Sequence, residues 1–221
     1  MTAIKTYLIS GIATDYRAFS YQYEAIPNCI YLPFPEHDKK DTLSSYVQKF
    51  IPLIDTNEPF NILGHSMGGI MTMELIKHIQ PQKVILLSTI KSRAEMPFKL
   101  KQLGITHFHK LLPGNGFISS VRLGSKFKGE LKKVDGLRDL AVSMAEANDP
   151  GFLYWSVNAI VKWKGDEDYR KDIIHIHGTK DEIFPYKNIK NAVPVFNGTH
   201  VMNMTRAEEV NRLILYYLEN N

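Results

Sequence analysis

The six residues Gly64-His65-Ser66-Met67-Gly68-Gly69 restrict what this chain can fold into more than any other stretch. They follow the apolar run Phe60-Asn61-Ile62-Leu63 and open Ile70-Met71-Thr72-Met73-Glu74-Leu75-Ile76. The first run reads as a buried strand and the second carries apolar residues at helical spacing, so a strand turns sharply into a helix at Ser66. A serine on such a turn is held in a strained backbone conformation with its hydroxyl beyond the sheet edge. Glycines two before and two after it are required because the chain crowds itself there. The helix that starts just after the serine aims free backbone N–H groups and its positive dipole end at any negative charge forming nearby. That is the pattern of a nucleophile elbow.

The flanking sequence alternates strands and helices. Lys5 to Ser10 reads as a first strand ending in the turn Gly11-Ile12-Ala13-Thr14, and Thr14 or Asp15 caps a helix over Tyr16 to Ala25. A second strand covers Cys29 to Leu32, and a helix starting at Thr42 or Ser44 reaches about Ile54, with Pro52 near its end. The third strand, Phe60 to Leu63, delivers Ser66. Its helix is expected to stop at Gln80-Pro81, since proline cannot continue the hydrogen bonding. A fourth strand covers Lys83 to Ser88. Between Lys91 and about Gly165 the alternation breaks, and Phe98 to Leu112, Gly129 to Ala147 and Phe152 to Trp163 read as amphipathic helices. It resumes with a strand over Asp172 to His177, a helix near Tyr186 to Lys190, a strand over Ala192 to Phe196 and a last helix from Thr205 to Leu218.

Such alternation implies an α/β fold with a doubly wound parallel sheet covered on both faces. Pro194 puts the final strand at an edge, where a missing N–H is tolerated. The site of such a sheet lies beyond the carboxyl ends of its strands, where the winding reverses. The helical insertion leaves the sheet at that end after the fourth strand. Residues 91–164 are therefore expected to form a cap over Ser66, on a core of 1–90 and 165–221.

A serine hydroxyl attacks well at neutral pH only when an imidazole takes its proton and a carboxylate steadies that imidazole. Asp181 lies in the loop after the strand before last, in His177-Gly178-Thr179-Lys180-Asp181, and His200 in the loop after the last strand, in Gly198-Thr199-His200. Asp172 falls at the wrong end of its strand, and Asp166, Glu167 and Asp168 precede it. The catalytic candidates are Ser66, Asp181 and His200. The oxyanion donors are the backbone N–H groups of Met67 and of Ile12 in the turn after the first strand. His65, next to the nucleophile, is expected to point away from the face that Ser66 occupies. His37 falls in an early loop and His78 on a helix. The pairs His107/His109 and His175/His177 alternate as metal ligands on a strand do, but no carboxylate or cysteine completes a site, so no metal and no cofactor are expected.

These three segments together resemble the α/β-hydrolase superfamily, and the resemblance covers the chain apart from the insertion. The insertion, with Asp149-Pro150-Gly151-Phe152-Leu153-Tyr154-Trp155 and Trp163, and the opening Ser10-Gly11-Ile12-Ala13-Thr14-Asp15-Tyr16-Arg17-Ala18-Phe19 are similar to small capped bacterial members. Two features depart from the superfamily's pattern. The usual His-Gly of the oxyanion turn is Ser10-Gly11, and the two strands that normally begin the sheet are absent, which implies six strands.

The resemblance, with Ser66, Asp181 and His200 following in the chain order the superfamily uses, implies a serine hydrolase acting on an ester or thioester. Acyl transfer or C–C bond chemistry at the same site is the alternative, followed by ligand binding without catalysis. Phe98, Phe108, Phe117, Phe152, Tyr154, Trp155 and Trp163 suit either an apolar acyl pocket or the packing of the helices themselves. The sequence pI near 9.0 raises nucleic-acid binding, but the charge is localised. Residues 91–164 hold 13 Lys/Arg against six Asp/Glu, a net +7 in a chain of net +4. The expected partner is a small acyl substrate, anionic if that charge lies over the site, and not nucleic acid. One cysteine, Cys29, excludes an internal disulfide and suits a reducing compartment. No stretch has the apolar length of a membrane helix, and the opening residues carry no apolar signal core. A cytoplasmic location without membrane insertion is the expectation.

Overall fold

The computed structural model describes residues 4–106, 136–165 and 172–220. Six strands form one sheet in the order β2-β1-β3-β4-β5-β6, and every neighbouring pair is parallel. They are β1 (Lys5–Ile9), β2 (Cys29–Tyr31), β3 (Phe60–His65), β4 (Lys83–Leu87), β5 (Ile174–Gly178) and β6 (Val193–Val195). The chain winds outward from β1 to β2, then returns to place β3 on the other side of β1 and continues to β6. The winding therefore reverses between β1 and β3, and sheets of this kind carry their sites beyond the carboxyl ends at such a point.

Alternate side chains of each strand serve opposite faces. Tyr7, Ile9, Ile62, Val84 and Leu86 join the cluster formed with α2 (Leu43–Val47) and α3 (Met67–Leu75). Leu8, Leu63, Ile85, Leu87 and Ile176 join the cluster formed with Phe19, Ile26, Val210 and Ile214 on the opposite side. Both faces are dry. Each fully buried Leu or Ile contributes about 1.5–3 kcal/mol relative to exposure. Pro194 pairs with His177 in β6, which is the outer strand that proline demands.

Local chemistry sets the helix ends. Asp15, not Thr14, caps the first helical segment by accepting from Arg17 N at 2.9 Å, while the Thr14 hydroxyl donates to Gly11 O at 2.7 Å and closes the turn. That segment starts as a 3₁₀ turn, Tyr16–Phe19, and becomes α1 (Ser20–Ala25). Thr42 caps α2 in a capping box with Ser45, and the following 3₁₀ turn, Gln48–Leu53, contains Pro52. α3 ends at Leu75, five residues earlier than the proline-based expectation. Beyond it the chain tightens into bonds from Lys77 N to Glu74 O and from His78 N to Leu75 O, so His78 sits in a turn and not in the helix.

Two further expectations are corrected. Tyr186 to Lys190 forms only a 3₁₀ turn, Tyr186–Asn188, because Lys190 N donates to Glu95 Oε1 at 2.9 Å instead of extending a helix. The last helix is two, α7 (Met202–Thr205) and α8 (Ala207–Glu219), broken at Arg206, whose φ of −135° is not helical. Cys29 is half-buried, and burial pushes its thiol up to about 12.

Between β4 and β5 the described residues form a 3₁₀ turn (Arg93–Glu95), three α-helices and no strand: α4 (Phe98–Thr106), α5 (Leu137–Glu146) and α6 (Pro150–Lys162). Asp149 caps α6 through a bond from Phe152 N at 2.7 Å, and Pro150 occupies the first turn, where its missing N–H costs nothing. Trp155 of α6 packs its ring 4.4 Å from that of Tyr46 in α2, and its indole N–H donates to Asp41 O at 2.9 Å. Residues 107–112 and 129–135 of the expected helices lie outside the described residues, as do Met1, Thr2 and Ala3.

Candidate active site

Ser66 follows the last residue of β3 with φ 53° and ψ −119°, a conformation that strains any residue with a side chain. Four hydrogen bonds hold it there. Ser66 N donates to Leu87 O at 3.0 Å, and Ser66 O accepts from Gly69 N at 3.0 Å, from Ile70 N at 3.3 Å and from the Thr89 hydroxyl at 2.7 Å. The glycines have a steric reason. A Cβ on Gly68 would reach 2.5 Å from Ser10 O, and one on Gly64 would reach 2.7 Å from Gly68 O. α3 can thus lie directly against the end of β1.

The loops after β5 and β6 come back to this point. The Ser66 hydroxyl lies 2.8 Å from His200 Nε2, and His200 Nδ1 lies 2.9 Å from Asp181 Oδ2 and 3.1 Å from Oδ1. A carboxylate beside Nδ1 requires that nitrogen to carry the proton, which leaves Nε2 with a lone pair facing the serine hydroxyl. Asp181 Oδ1 also accepts from Ile183 N at 2.8 Å and Phe184 N at 2.9 Å. Burial pushes the Asp181 carboxyl up. The His200 charge and hydrogen bond, His177 and the Phe184 N–H outweigh it and hold the group below the usual carboxylate value.

The turn after β1 borders the same space. A Cβ on Gly11 would lie 3.1 Å from Ser66 Cβ and 3.5 Å from Ser66 Oγ, so the residue before Ile12 lies against the Ser66 side chain. Among the described residues, neither Ile12 N–H nor Met67 N–H donates to a protein acceptor. The inserted helices pack onto these loops. Leu153 of α6 and Ala145 of α5 cluster with Ala13 and Ile12, while Leu137 of α5 contacts Met204 and Val201 beside His200.

The aromatic residues of the insertion divide by contact. Phe152, Trp155 and Trp163 are buried in packing against the sheet core, and Phe98 is exposed. Phe108 and Phe117 lie outside the described residues, as do His107, His109, Asp166, Glu167 and Asp168. Asp172 precedes β5 at the far end of the sheet. His175 Nε2 and His177 Nδ1 lie 3.3 Å apart, and His177 Nε2 faces Phe184 O at 2.8 Å and Asp181 Oδ2 at 3.3 Å. His37 packs against Phe152 and Trp155.

The expectation for His65 fails. Its ring does not turn away from the site but lies 5.5 Å from that of His200, with Nε2 3.0 Å from His200 O. The neighbour rule for strands breaks down because Ser66 has left the strand and turned back over its end. Nothing in the sequence except adjacency to Ser66 marked this histidine. Burial holds its pKa down at about 4, so the ring is neutral.

No family model and no curated protein matches the sequence. The architecture, by contrast, recurs in many solved structures. One is a hydrolase from Pseudomonas aeruginosa PA01, at 15% identity and TM-score 0.76, covering 98% of this chain and 90% of that one. MenH from S. aureus is similar at 15% identity and TM-score 0.79, over 99% and 94% of the two chains. The enol-lactonase from Burkholderia xenovorans LB400 shares 17% identity at TM-score 0.72, over 99% and 92%. The chain therefore has the α/β-hydrolase fold.

Proposed function

We propose that the protein is a serine hydrolase that cleaves an ester or thioester through an acyl-enzyme on Ser66. The observation that carries this reading is the continuous contact from the Ser66 hydroxyl through His200 to the buried Asp181, at 2.8 and 2.9 Å. His200 Nε2 takes the hydroxyl proton as Ser66 Oγ attacks the substrate carbonyl, then returns that proton to the leaving oxygen or sulfur. Asp181 keeps the imidazole in the required tautomer and steadies it while it is charged. The negative oxygen of the tetrahedral intermediate is held by the N–H groups of Ile12 and Met67, helped by the amino end of α3. Water then repeats the sequence on the acyl-enzyme, with His200 as base and Ser66 as leaving group. The hydrolase, esterase and enol-lactonase names among the fold neighbours support the same class.

The test is a panel of short p-nitrophenyl esters and thioesters with the parent protein and Ser66→Ala. Turnover is expected to fall roughly four to six orders of magnitude in the variant. Equal rates for the two proteins would refute the assignment.

A further inference from the structure

We infer that His65 is a positioning residue for the hydrolase reaction proposed above: its ring N–H ties the main chain of the base to the strand that delivers the nucleophile. The inference rests on that reading for its kinetic consequences, but the tie itself is a matter of geometry.

His65 Nε2 lies 3.0 Å from the carbonyl oxygen of His200. A carbonyl only accepts, so Nε2 must carry the proton. A neutral ring then has a bare lone pair on Nδ1, and among the described residues that buried nitrogen has no partner. The tautomer is thus fixed by one bond. Phe19 stands edge-on to the ring at 6.4 Å on one side, and the His200 ring lies at 5.5 Å on another. Gly11 closes the Nδ1 side, where a Cβ would come within 3.3 Å. Among the described residues, no other donor reaches His200 O.

The consequence is a closed circuit. Ser66 and His200 meet through their side chains at 2.8 Å, and His65, one peptide bond from Ser66, holds the carbonyl one bond from His200 Cα. The imidazole has its far nitrogen fixed by Asp181 and its root fixed by His65. Rotation of the loop after β6 therefore cannot carry Nε2 away from the serine without breaking one of these bonds. Misplacing a reacting group by about 1 Å costs on the order of a hundredfold in rate.

The experiment compares the parent with His65→Leu, which fills the space without a donor, and His65→Gln, whose amide nitrogen reaches the position of Nε2. Kcat and KM on a p-nitrophenyl ester and the rate of Ser66 labelling by a fluorophosphonate are measured, with thermal melts alongside. His65→Leu is expected to lower kcat roughly ten- to hundredfold with KM changed less than about twofold, and His65→Gln to recover most of the loss. Equal impairment in both variants, or full activity in His65→Leu, would overturn the inference.

A second measurement needs no variant. Nitrogen-15 spectra of the parent should show His65 as the Nε2–H tautomer, uncharged from pH 5 to 9. An Nδ1–H tautomer, or a His65 titration within that range, would also overturn it. A parent that neither turns over esters nor reacts with the probe would sink the hydrolase reading, while the tautomer would still decide whether the tie exists.

Discussion

The Trp163 indole N–H donates to Glu74 Oε1 at 2.7 Å, and this bond joins the end of the inserted helices to the helix that starts at the nucleophile. Glu74 is buried, with Lys77 as its second partner at 3.0 Å. Trp163→Phe keeps most of the ring packing and removes one donor from a carboxylate held away from water. A loss of about 1–3 kcal/mol is expected. In a chain of this size that lowers the melting temperature by several degrees, roughly 2–4 °C per kcal/mol. A melt unchanged within a degree would show that the bond contributes nothing.

Gly68→Ala should be far more damaging than an ordinary helix substitution, although alanine favours helices. Its Cβ would run into the backbone oxygens of Ile9 and Ser10, which no side-chain rotation relieves. Either α3 lifts from β1 or the turn after β1 moves, and both displace the Ser66 hydroxyl from Ile12. Stability should fall by at least about 3 kcal/mol and ester turnover by two orders of magnitude or more. Chemical denaturation and activity measured on the same preparation would check both effects.

Acid should weaken the fold well above the range where carboxylates titrate. Burial holds His65 at about 4; it also lowers His175, where nearby positive charge adds to it, and His177, where Asp181 and the bond to Phe184 O partly oppose it. An unfolded histidine takes up its proton near pH 6.5. Above that value both states are neutral and pH has no effect through these residues. As pH falls toward 4 the unfolded chain binds protons that the folded chain refuses, and stability drops. His65 alone accounts for about 3 kcal/mol across that window. Asp181, held below its usual value, adds a further loss only at lower pH. Urea midpoints should therefore decline steadily from pH 7 to pH 5, and a flat profile over that interval would contradict the burial of these rings as neutral species.

Substrate charge is open to a simple measurement. If the net +7 of residues 91–164 attracts an anionic acyl substrate, KM for such a substrate should rise severalfold between 0.05 M and 0.5 M salt. The KM for an uncharged ester should hardly move. Identical salt dependence for both would leave that charge as a solvated surface.

Much of this was legible in the sequence for identifiable physical reasons. The elbow is legible because only glycine tolerates the approaches at positions 64 and 68, and Pro194 marks an edge because it lacks an N–H. The meeting of Asp181 and His200 at Ser66 is legible because each lies just past a segment that reads as a strand. Local periodicity does not record tertiary partners. It missed the early end of α3, the break at Arg206 and the loss of a helix at Tyr186, where Glu95 captures Lys190 N. It also misjudged His65, since strand alternation no longer applies once the chain has reversed at Ser66. The spacing of Trp155 and Trp163 does not separate pocket lining from helix packing, because an aromatic residue in a helix has the same spacing in either.

His200 hangs from β6, which is three residues long and lies at the outer limit of the sheet, whereas Ser66 is delivered by β3 between two partners. In the hydrolase reading proposed above, the two ends of the proton transfer are thus anchored in parts of unequal sturdiness. Warming should fray the periphery first, leaving the His65 bond as what holds the His200 main chain to the interior strand. Ester turnover, in the proposed reading, should then fall at a lower temperature than the fold does.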